Sequence, residues 1–257
     1  MDLGDNQPAG FLVDGISCIV CTYNEGDRLR RILDAVSGHP ALQEIIVVND
    51  GSTDDAHLLL QAYRDVRVIS YTPNRGKTYA MSRGIAAAKC DRLMFLDADL
   101  AGLSRRHIQL LAAPVVGGAA DVSISLRGNS LPLYRMIGLD FVSGERVIPA
   151  SLVRDQASRM AGLPPWGGEA FINQLIIEAA LRIEVVDWPE VTNVRKHRKL
   201  GRLRGLLAEL SMIRDAFRTA PGGPVRQNLE LLRLMAGARR AARLRPRDKA
   251  RLALRRL

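Results

Sequence analysis

Two aspartates that are one residue apart are the first sign of chemistry in this sequence. Asp97 and Asp99 follow the apolar run 93–96, which is typical of a short buried strand. Side chains two positions apart in an extended segment point to the same side, so both carboxylates can face one site. Mg²⁺ and Mn²⁺ bind oxygen ligands and keep open positions for substrate phosphates. The pair therefore predicts a place that holds a metal-bound diphosphate.

Upstream of this pair, three segments repeat the same order, an apolar run followed by polar, turn-forming residues. The runs are 16–21, 45–48 and 66–69, and helical patterns such as 27–36 and 54–63 lie between them. Short apolar strands that alternate with helices indicate an α/β fold, with a mostly parallel sheet flanked by helices. Ligands of such sheets bind outside the carboxyl ends of the strands, and every polar cluster falls at such an end.

Four short motifs stand at these strand ends: Cys21-Thr22-Tyr23-Asn24-Glu25, Val48-Asn49-Asp50-Gly51-Ser52-Thr53-Asp54, Asn74-Arg75-Gly76-Lys77 and Leu96-Asp97-Ala98-Asp99. In order and spacing they resemble the nucleotide-sugar half of family 2 glycosyltransferases, which have the Rossmann-like GT-A fold. The resemblance covers about residues 14–192 and extends to polyprenyl-phosphate glycosyltransferases and, in part, to glucosyl-3-phosphoglycerate synthases. It implies a UDP- or GDP-sugar donor, Mg²⁺ or Mn²⁺ as cofactor, and sugar transfer to an acceptor nucleophile.

The resemblance assigns contacts with the donor nucleoside to the first two motifs. Thr22, Tyr23 and Glu25 follow the first strand, where the nucleoside would rest. Asp50 closes the second strand and would accept a hydrogen bond from uracil or from the equivalent edge of guanine. The alternatives are local roles, a turn and helix start for the first motif and an Asx turn before Gly51 for the second.

The third and fourth motifs are assigned to the diphosphate and the metal. A helix N-terminus offers free N–H groups and partial positive charge, so the helix that Arg75 and Lys77 open suits a phosphate. Asp97 would contact the ribose or a metal-bound water, and Asp99 would ligate the metal directly as a catalytic residue. The alternatives are a basic surface loop for the third motif and a helix cap for Asp99.

Residues of the acceptor side are predicted in the second half of the chain. Gly144 allows a tight turn, and Arg127 and Arg146 are candidates for pairing with an acceptor phosphate, or surface charges instead. The resemblance implies that Glu169, at the start of an apolar helix, faces sugar and acceptor as general base or as holder of sugar hydroxyls. Its alternative role is a favourable interaction with the helix dipole.

One histidine is a candidate metal ligand. His197 lies in the basic run 195–198, just after the last predicted strand. The run resembles a segment of some GT-A enzymes in which a histidine completes the metal shell, here beside Asp99. The alternative is a solvated histidine on the surface.

Basic residues are concentrated at the C-terminus. Residues 195–257 hold 19 Lys or Arg against 4 Asp or Glu, whereas residues 1–194 hold 18 against 23. We therefore divide the chain into a flexible N-terminus (1–13), a GT-A catalytic domain (14–200) and a basic amphipathic helical extension (201–257). Basic amphipathic helices bind anionic membrane surfaces, and the alternative is a helix packed on the catalytic domain with a solvated basic face. Nucleic acid is not expected as a partner.

The remaining composition indicates a cytoplasmic protein at the inner face of the plasma membrane, bound peripherally. The sequence shows no secretory signal and no apolar run of about 20 residues that would span a bilayer. The cysteines do not form a disulfide framework and are expected to be reduced thiols: Cys18, Cys21 and Cys90. The sequence leaves open whether the protein forms a homodimer.

These observations favour a metal-dependent glycosyltransferase that moves a sugar from a nucleotide-diphosphate-sugar to a lipid-linked acceptor, a polyprenyl phosphate or a glycolipid. One alternative is transfer to a small soluble phosphorylated acceptor, as the resemblance to glucosyl-3-phosphoglycerate synthases implies. A second alternative is an inactive protein that binds sugar nucleotides. The sequence leaves the identity of the sugar and the stereochemical outcome open.

Overall fold

The computed structural model describes residues 13–193, 214–215, 218–220 and 222–243 of the chain, with only the backbone described for residues 224 and 236–243. Three predictions therefore lie outside the described residues. They are the role of His197, the apolar stripe of residues 203–217 and, except for Val13, the flexible N-terminus.

Within the described residues, seven strands form one sheet in the order β3-β2-β1-β4-β7-β6-β8. The strands are β1 (Val13–Thr22), β2 (Glu44–Asp50), β3 (Val66–Tyr71), β4 (Cys90–Asp97), β6 (Val122–Arg127), β7 (Arg146–Pro149) and β8 (Ile183–Trp188). β5 (Leu100–Ala101) and β9 (Thr192–Asn193) form a separate antiparallel pair. Only β7 runs against its neighbours in the larger sheet. The predicted mostly parallel sheet is confirmed.

Helices cover both faces of this sheet. They are α1 (Gly26–Val36), α2 (Ala56–Leu60), α3 (Lys77–Ala87), α4 (Arg105–Val116), α5 (Pro132–Ile137), α6 (Ala157–Ala161), α7 (Gly168–Glu178) and α8 (Pro224–Arg243). Two 3₁₀ turns, Ala150–Leu152 and Arg154–Gln156, precede α6. Side chains of α1, α2 and α4 enter one hydrophobic cluster, and those of α3, α6, α7 and α8 enter the other. The chain thus folds as two helical layers around a central sheet.

The central strands are apolar on both faces because both faces are covered. In β2, Ile46 and Val48 enter one cluster while Ile45 and Val47 enter the other. Successive side chains of a strand point to opposite faces, so a continuous β-branched run fills both layers. The same reason explains why these strands read as short apolar runs in the sequence.

The direction of β7 decides which residues meet at the functional edge. The parallel strands place Asp50, Asp97 and Arg127 at one edge, since each is the last residue of its strand. β7 runs the other way, so its first residue, Arg146, lies at the same edge. Residues that are distant in sequence are therefore brought together by strand direction alone.

The C-terminal helix α8 packs on the catalytic domain along one face. Leu231 and Met235 are buried in the cluster that also contains Phe171 of α7. The side-chain amide of Gln227 donates a 2.9 Å hydrogen bond to the carbonyl of Ala170. This arrangement is the packed-helix alternative given above for that part of the extension. The domain boundary at residue 200 stays a prediction.

Two further expectations concern membrane spans and thiols. No helix among the described residues is long and apolar enough to cross a membrane. All three cysteines are free thiols, as expected. Burial raises the pKa of Cys18 to about 12, so this thiol is an unreactive part of the interior.

Candidate active site

The loops that follow β1 and β2 are tied to each other. Asn24, with φ of 54°, accepts a 2.8 Å hydrogen bond from the N–H of Thr53 through its side-chain oxygen. The Asp54 carboxylate accepts hydrogen bonds from the N–H groups of Gly26 and Ala56, at 3.0 and 3.2 Å. The two loops therefore form one wall of the site, with Asp54 at the starts of both α1 and α2.

The three predicted donor contacts after β1 have different surroundings. Thr22 is buried, and within the described part of the chain its hydroxyl has no hydrogen-bond partner. Tyr23 is about half exposed, and Glu25 forms an ion pair with Arg28 one turn into α1. An unsatisfied buried hydroxyl costs free energy that a ligand group would recover, so Thr22 fits a contact with a bound donor.

Asp50 holds the third motif in place. Its buried carboxylate accepts 2.8 Å hydrogen bonds from the N–H groups of Arg75 and Gly76, and a 2.9 Å bond from the side-chain amide of Asn74. Gly51 is required beside it, since a Cβ at that position would lie 2.7 Å from the backbone nitrogen of Asn74. The contact of Asp50 with a base stays a prediction, because this carboxylate already holds three donors.

Arg75 lies on the outer side of the same loop. Its guanidinium carbon is 3.6 Å from the ring centre of Tyr79, a cation–π contact, and Tyr79 meets Tyr71 edge to face. The side chain is exposed, so the positive charge is open to solvent at the start of α3. Its predicted contact with the donor stays a prediction.

A side chain and a loop join the starts of α3 and α7. The hydroxyl of Thr78 donates a 2.8 Å hydrogen bond to the carbonyl of Pro165 and accepts a 3.0 Å bond from the N–H of Gly168. A Cβ at Gly76 would collide with Pro165, so only glycine permits this approach. The junction places the first residue of α3, Lys77, beside the first turn of α7, which contains Glu169.

Lys77 bridges two carboxylates at the functional edge. Its Nζ lies 2.6 Å from Oδ1 of Asp97 and 2.7 Å from Oε1 of Glu169. Burial alone would lower the pKa of Lys77, but the two carboxylates outweigh it and raise the pKa. Burial likewise opposes ionisation of Asp97, and Lys77 with Arg127 nevertheless hold its pKa below the usual range. All three groups that this bridge joins are therefore positioned and charged at neutral pH.

A buried network of charges supports Asp97 from beneath. Nη1 of Arg127 lies 3.9 Å from Asp97 and 3.1 Å from Glu145, and its Nη2 lies 3.3 Å from Asp140. Burial raises the pKa of Glu145, which also accepts hydrogen bonds from Ser125. The guanidinium of Arg127 faces this network, so its contacts differ from those predicted for an acceptor phosphate.

Gly144 and Arg146 complete the floor of the site. A Cβ at Gly144 would collide with the carboxylate of Asp97, so the glycine serves close approach rather than a tight turn. Arg146 is completely buried; it donates a 2.9 Å hydrogen bond to Asn173 and another to the carbonyl of Ser143. As placed, Arg146 offers no atom to a ligand at the surface of the edge.

The metal prediction depends on Asp99 and on a residue outside the described structure. Asp99 is half-buried two residues beyond Asp97, just past the end of β4. The described residues contain no group of three or more His, Cys, Asp or Glu side chains that could hold a metal. Mg²⁺ is often held by one or two carboxylates together with substrate phosphates, so these two carboxylates fit a metal that arrives with the donor.

Sequence reasoning missed the supporting network of Asp140, Ser125 and Glu145. Glu145 stands next to Arg146 in the sequence, but an adjacent acidic and basic residue are usually exposed at a surface. Its burial follows from partners on β6 and in the loop before β7, which no local pattern reveals. The junction through Thr78 was missed for the same reason.

Comparison with known proteins identifies the family. Residues 17–135, which carry β1 to β4 and all four motifs, match the family model "Glycosyl transferase family 2". The chain belongs to this family. The predicted family resemblance is thereby confirmed.

Solved structures with the same fold support the predicted architecture. Glucosyl-3-phosphoglycerate synthase from Mycobacterium tuberculosis, in complex with Mn²⁺, UDP and glucosyl-3-phosphoglycerate, has a TM-score of 0.59 at 22% identity, over 81% of each chain. The same synthase in complex with phosphoglyceric acid has a TM-score of 0.62 at 22% identity, over the same shares of the chains. The likeness shows the fold, so the GT-A prediction is confirmed.

Curated relatives match a shorter part of the family 2 chain. A poly-beta-1,6-N-acetyl-D-glucosamine synthase of Staphylococcus epidermidis is 35% identical over 92 residues, 34% of this chain. The synthase of Staphylococcus aureus (strain MSSA476) is 36% identical over 94 residues, also 34% of this chain. The chain spans 22% of the length of either relative.

Proposed function

We propose that this protein is a metal-dependent glycosyltransferase that takes a sugar from a nucleotide-diphosphate-sugar. The observation that carries the proposal is the bridge of Lys77 between Asp97 and Glu169. It lies at the carboxyl edge of a family 2 domain, where open α/β sheets bind their ligands. The solved synthases that share the fold were crystallised with Mn²⁺ or Mg²⁺ and with UDP or UDP-glucose, which supports such a donor here.

The proposed chemistry uses charges that are already in position. A metal held by Asp99, with His197 as a further ligand, would supply positive charge to the diphosphate. Lys77 and the N-terminus of α3 stabilise the negative charge that develops on the leaving diphosphate. Glu169 is the candidate base for an acceptor hydroxyl, whereas an acceptor phosphate is already anionic and needs no base.

For the acceptor we favour a lipid-linked molecule, a polyprenyl phosphate or a glycolipid, used at the cytoplasmic face of the membrane. Support comes from exposed apolar side chains beside the functional edge and from the excess of basic residues in 195–257. The second candidate is a small soluble phosphorylated acceptor. It is supported by the solved relatives that share the fold, which hold phosphoglyceric acid or glycerol 3-phosphate.

Thermal unfolding in the presence of nucleotide sugars tests the donor. UDP-, GDP- and dTDP-sugars are screened with Mg²⁺ or Mn²⁺, and a true donor at a hundredfold excess over its Kd stabilises the fold by roughly 2.7 kcal/mol. Lys77→Met should lose this stabilisation. Lys89→Met is the matched control, because Lys89 is exposed just beyond the other end of α3. The donor proposal fails if no nucleotide sugar stabilises the wild-type protein with either metal.

The two acceptor classes are separated by turnover. With the donor identified, release of the nucleoside diphosphate is compared in the presence of a polyprenyl phosphate in vesicles and of soluble phosphoglycerate. Acceleration by the polyprenyl phosphate alone supports the lipid acceptor, and acceleration by phosphoglycerate alone supports the second candidate. Donor binding with no turnover under any of these conditions indicates an inactive protein that binds sugar nucleotides.

A further inference from the structure

Exposed apolar side chains are concentrated on one protrusion of the sheet edge. The protrusion is the segment 128–142 that follows β6 and contains α5. Its large apolar side chains are strongly exposed to solvent: Leu131 by 55%, Leu133 by 55%, Met136 by 79% and Val142 by 42%. α5 itself has no buried residue. A group of apolar side chains so exposed marks a surface that contacts something else.

The protrusion is nevertheless firmly attached at its base. Asp140 lies 3.3 Å from the guanidinium of Arg127 and accepts a 2.5 Å hydrogen bond from the hydroxyl of Ser130. On its inner side Tyr134 meets the ring of Phe141 edge to face, at 5.4 Å between ring centres. Its inner side packs on the hydrophobic core while its outer side is open, so the exposed residues are held outward by the fold.

The protrusion rises next to the proposed active site. Arg127, the last residue of β6, joins the two through its contacts with Asp140 on one side and Asp97 on the other. Asp97 in turn is bonded to Lys77, which bridges to Glu169. Whatever covers the apolar tip therefore lies beside the residues predicted to face the acceptor.

Charge beside the protrusion indicates what that partner is. Asn129, near the base of the protrusion, donates 2.9 Å hydrogen bonds to the backbone and side-chain oxygens of Asn193. The sequence that continues directly from Asn193, residues 194–204, contains six Lys or Arg and no Asp or Glu. Apolar side chains next to basic residues match the interface of an anionic bilayer, where acyl chains lie below negative headgroups.

We infer that the protrusion is a membrane-docking element. Leu133 and Met136 enter the interface of an anionic bilayer, and the basic run 194–204 contacts the headgroups. Docking in this way presents the edge with Lys77 and Glu169 to an acceptor that stays in the membrane. The inference deepens the proposed function and rests on it for the nature of the acceptor.

Vesicle sedimentation at low ionic strength tests the inference on the full-length chain. The variant is Leu133→Glu with Met136→Glu, and the vesicles are phosphatidylcholine with or without phosphatidylglycerol. The matched control is Val116→Glu, an equally exposed apolar residue at the end of α4, near the opposite edge of the sheet. Because the altered side chains are exposed, we expect thermal unfolding of the three proteins to agree.

The expected result is binding of the wild type and the control to the anionic vesicles only, with binding of the double variant weaker by about tenfold or more. The inference is overturned if the wild type ignores anionic vesicles, or if the double variant and the control bind alike. It is also overturned if the wild type is a dimer that the double variant dissociates, because a second copy then covers the patch. Stabilisation by nucleotide sugars is measured in parallel, and its absence from all three proteins contradicts the proposed function independently of the vesicle result.

Discussion

The ammonium of Lys77 lies 2.7 Å from a carboxylate oxygen of Glu169, although the two residues begin different helices, α3 and α7. The same ammonium lies 2.6 Å from Asp97 at the end of β4. Three elements therefore converge on one charge. We infer that this convergence is the arrangement that receives the donor diphosphate and the acceptor.

Replacing the carboxylate of Glu169 tests its role as a base. Glu169→Gln keeps the size and hydrogen bonding of the side chain, so donor binding should persist while kcat falls by roughly 10²-fold with a hydroxyl acceptor. Glu178→Gln at the other end of α7 is the control and should behave as wild type. Steady-state kinetics of the two variants decide the matter, and equal rates would assign Glu169 a structural role or indicate a phosphate acceptor.

The lowered pKa of Asp97 predicts a particular dependence of stability on pH. A carboxyl whose pKa is lower in the folded protein stabilises the fold above its ordinary pKa of about 3.9, and the stabilisation is lost as pH falls below that value. Asp97→Asn should therefore be less stable than wild type by a constant amount from neutral pH to about pH 5. The difference should shrink in more acidic solution. Urea unfolding at a series of pH values measures it, and a difference that grows on acidification would contradict the assignment.

Gly144 provides a steric test of the position of Asp97. A Cβ at residue 144 would collide with the Asp97 carboxylate, so Gly144→Ala should displace that carboxylate and cost about 1–3 kcal/mol of stability. Turnover should fall in parallel, since Asp97 positions Lys77. Gly162→Ala is the control, because its new methyl group would meet its nearest neighbour at an ordinary 3.6 Å. Wild-type stability and turnover in Gly144→Ala would show that Asp97 tolerates displacement.

Two leucines of α8 test whether this helix belongs to the catalytic fold. Leu231 is fully buried, so Leu231→Ala should lower the free energy of unfolding by about 2–5 kcal/mol. Leu229 is exposed two residues earlier, and Leu229→Ala should change that free energy by less than about 0.5 kcal/mol. Chemical denaturation of both variants is the measurement. Similar small effects would mean that α8 is a separate extension.

Local sequence patterns predicted the sheet and one side of the site. The strands around Ile46 and Phe95 are continuous apolar runs ending in polar clusters, and parallel strands bring such ends together. Lys77 and Asp97 could therefore be assigned to one edge from the sequence. Their direct contact required only that α3 and β4 begin and end where the motifs indicate.

Long-range pairing decided the rest, and short segments do not encode it locally. β7 has four residues, too few for a periodic pattern, yet its antiparallel direction buries Arg146 among strand ends. Glu145 is buried because Arg127 and Ser125 reach it from another strand. The sequence left two positions open for α8, and packing of Leu231 selects the one on the catalytic domain.

The most direct test of the account is metal-dependent release of the nucleoside diphosphate from the nucleotide sugar that stabilises the protein most. We predict release by the wild type with Mn²⁺ or Mg²⁺, its loss when a chelator removes the metal, and its loss in Asp99→Ala despite an intact fold. Asp187→Ala, which removes an exposed carboxylate near the end of β8, should release it as wild type does. Release that continues in the chelator or in Asp99→Ala would contradict the account.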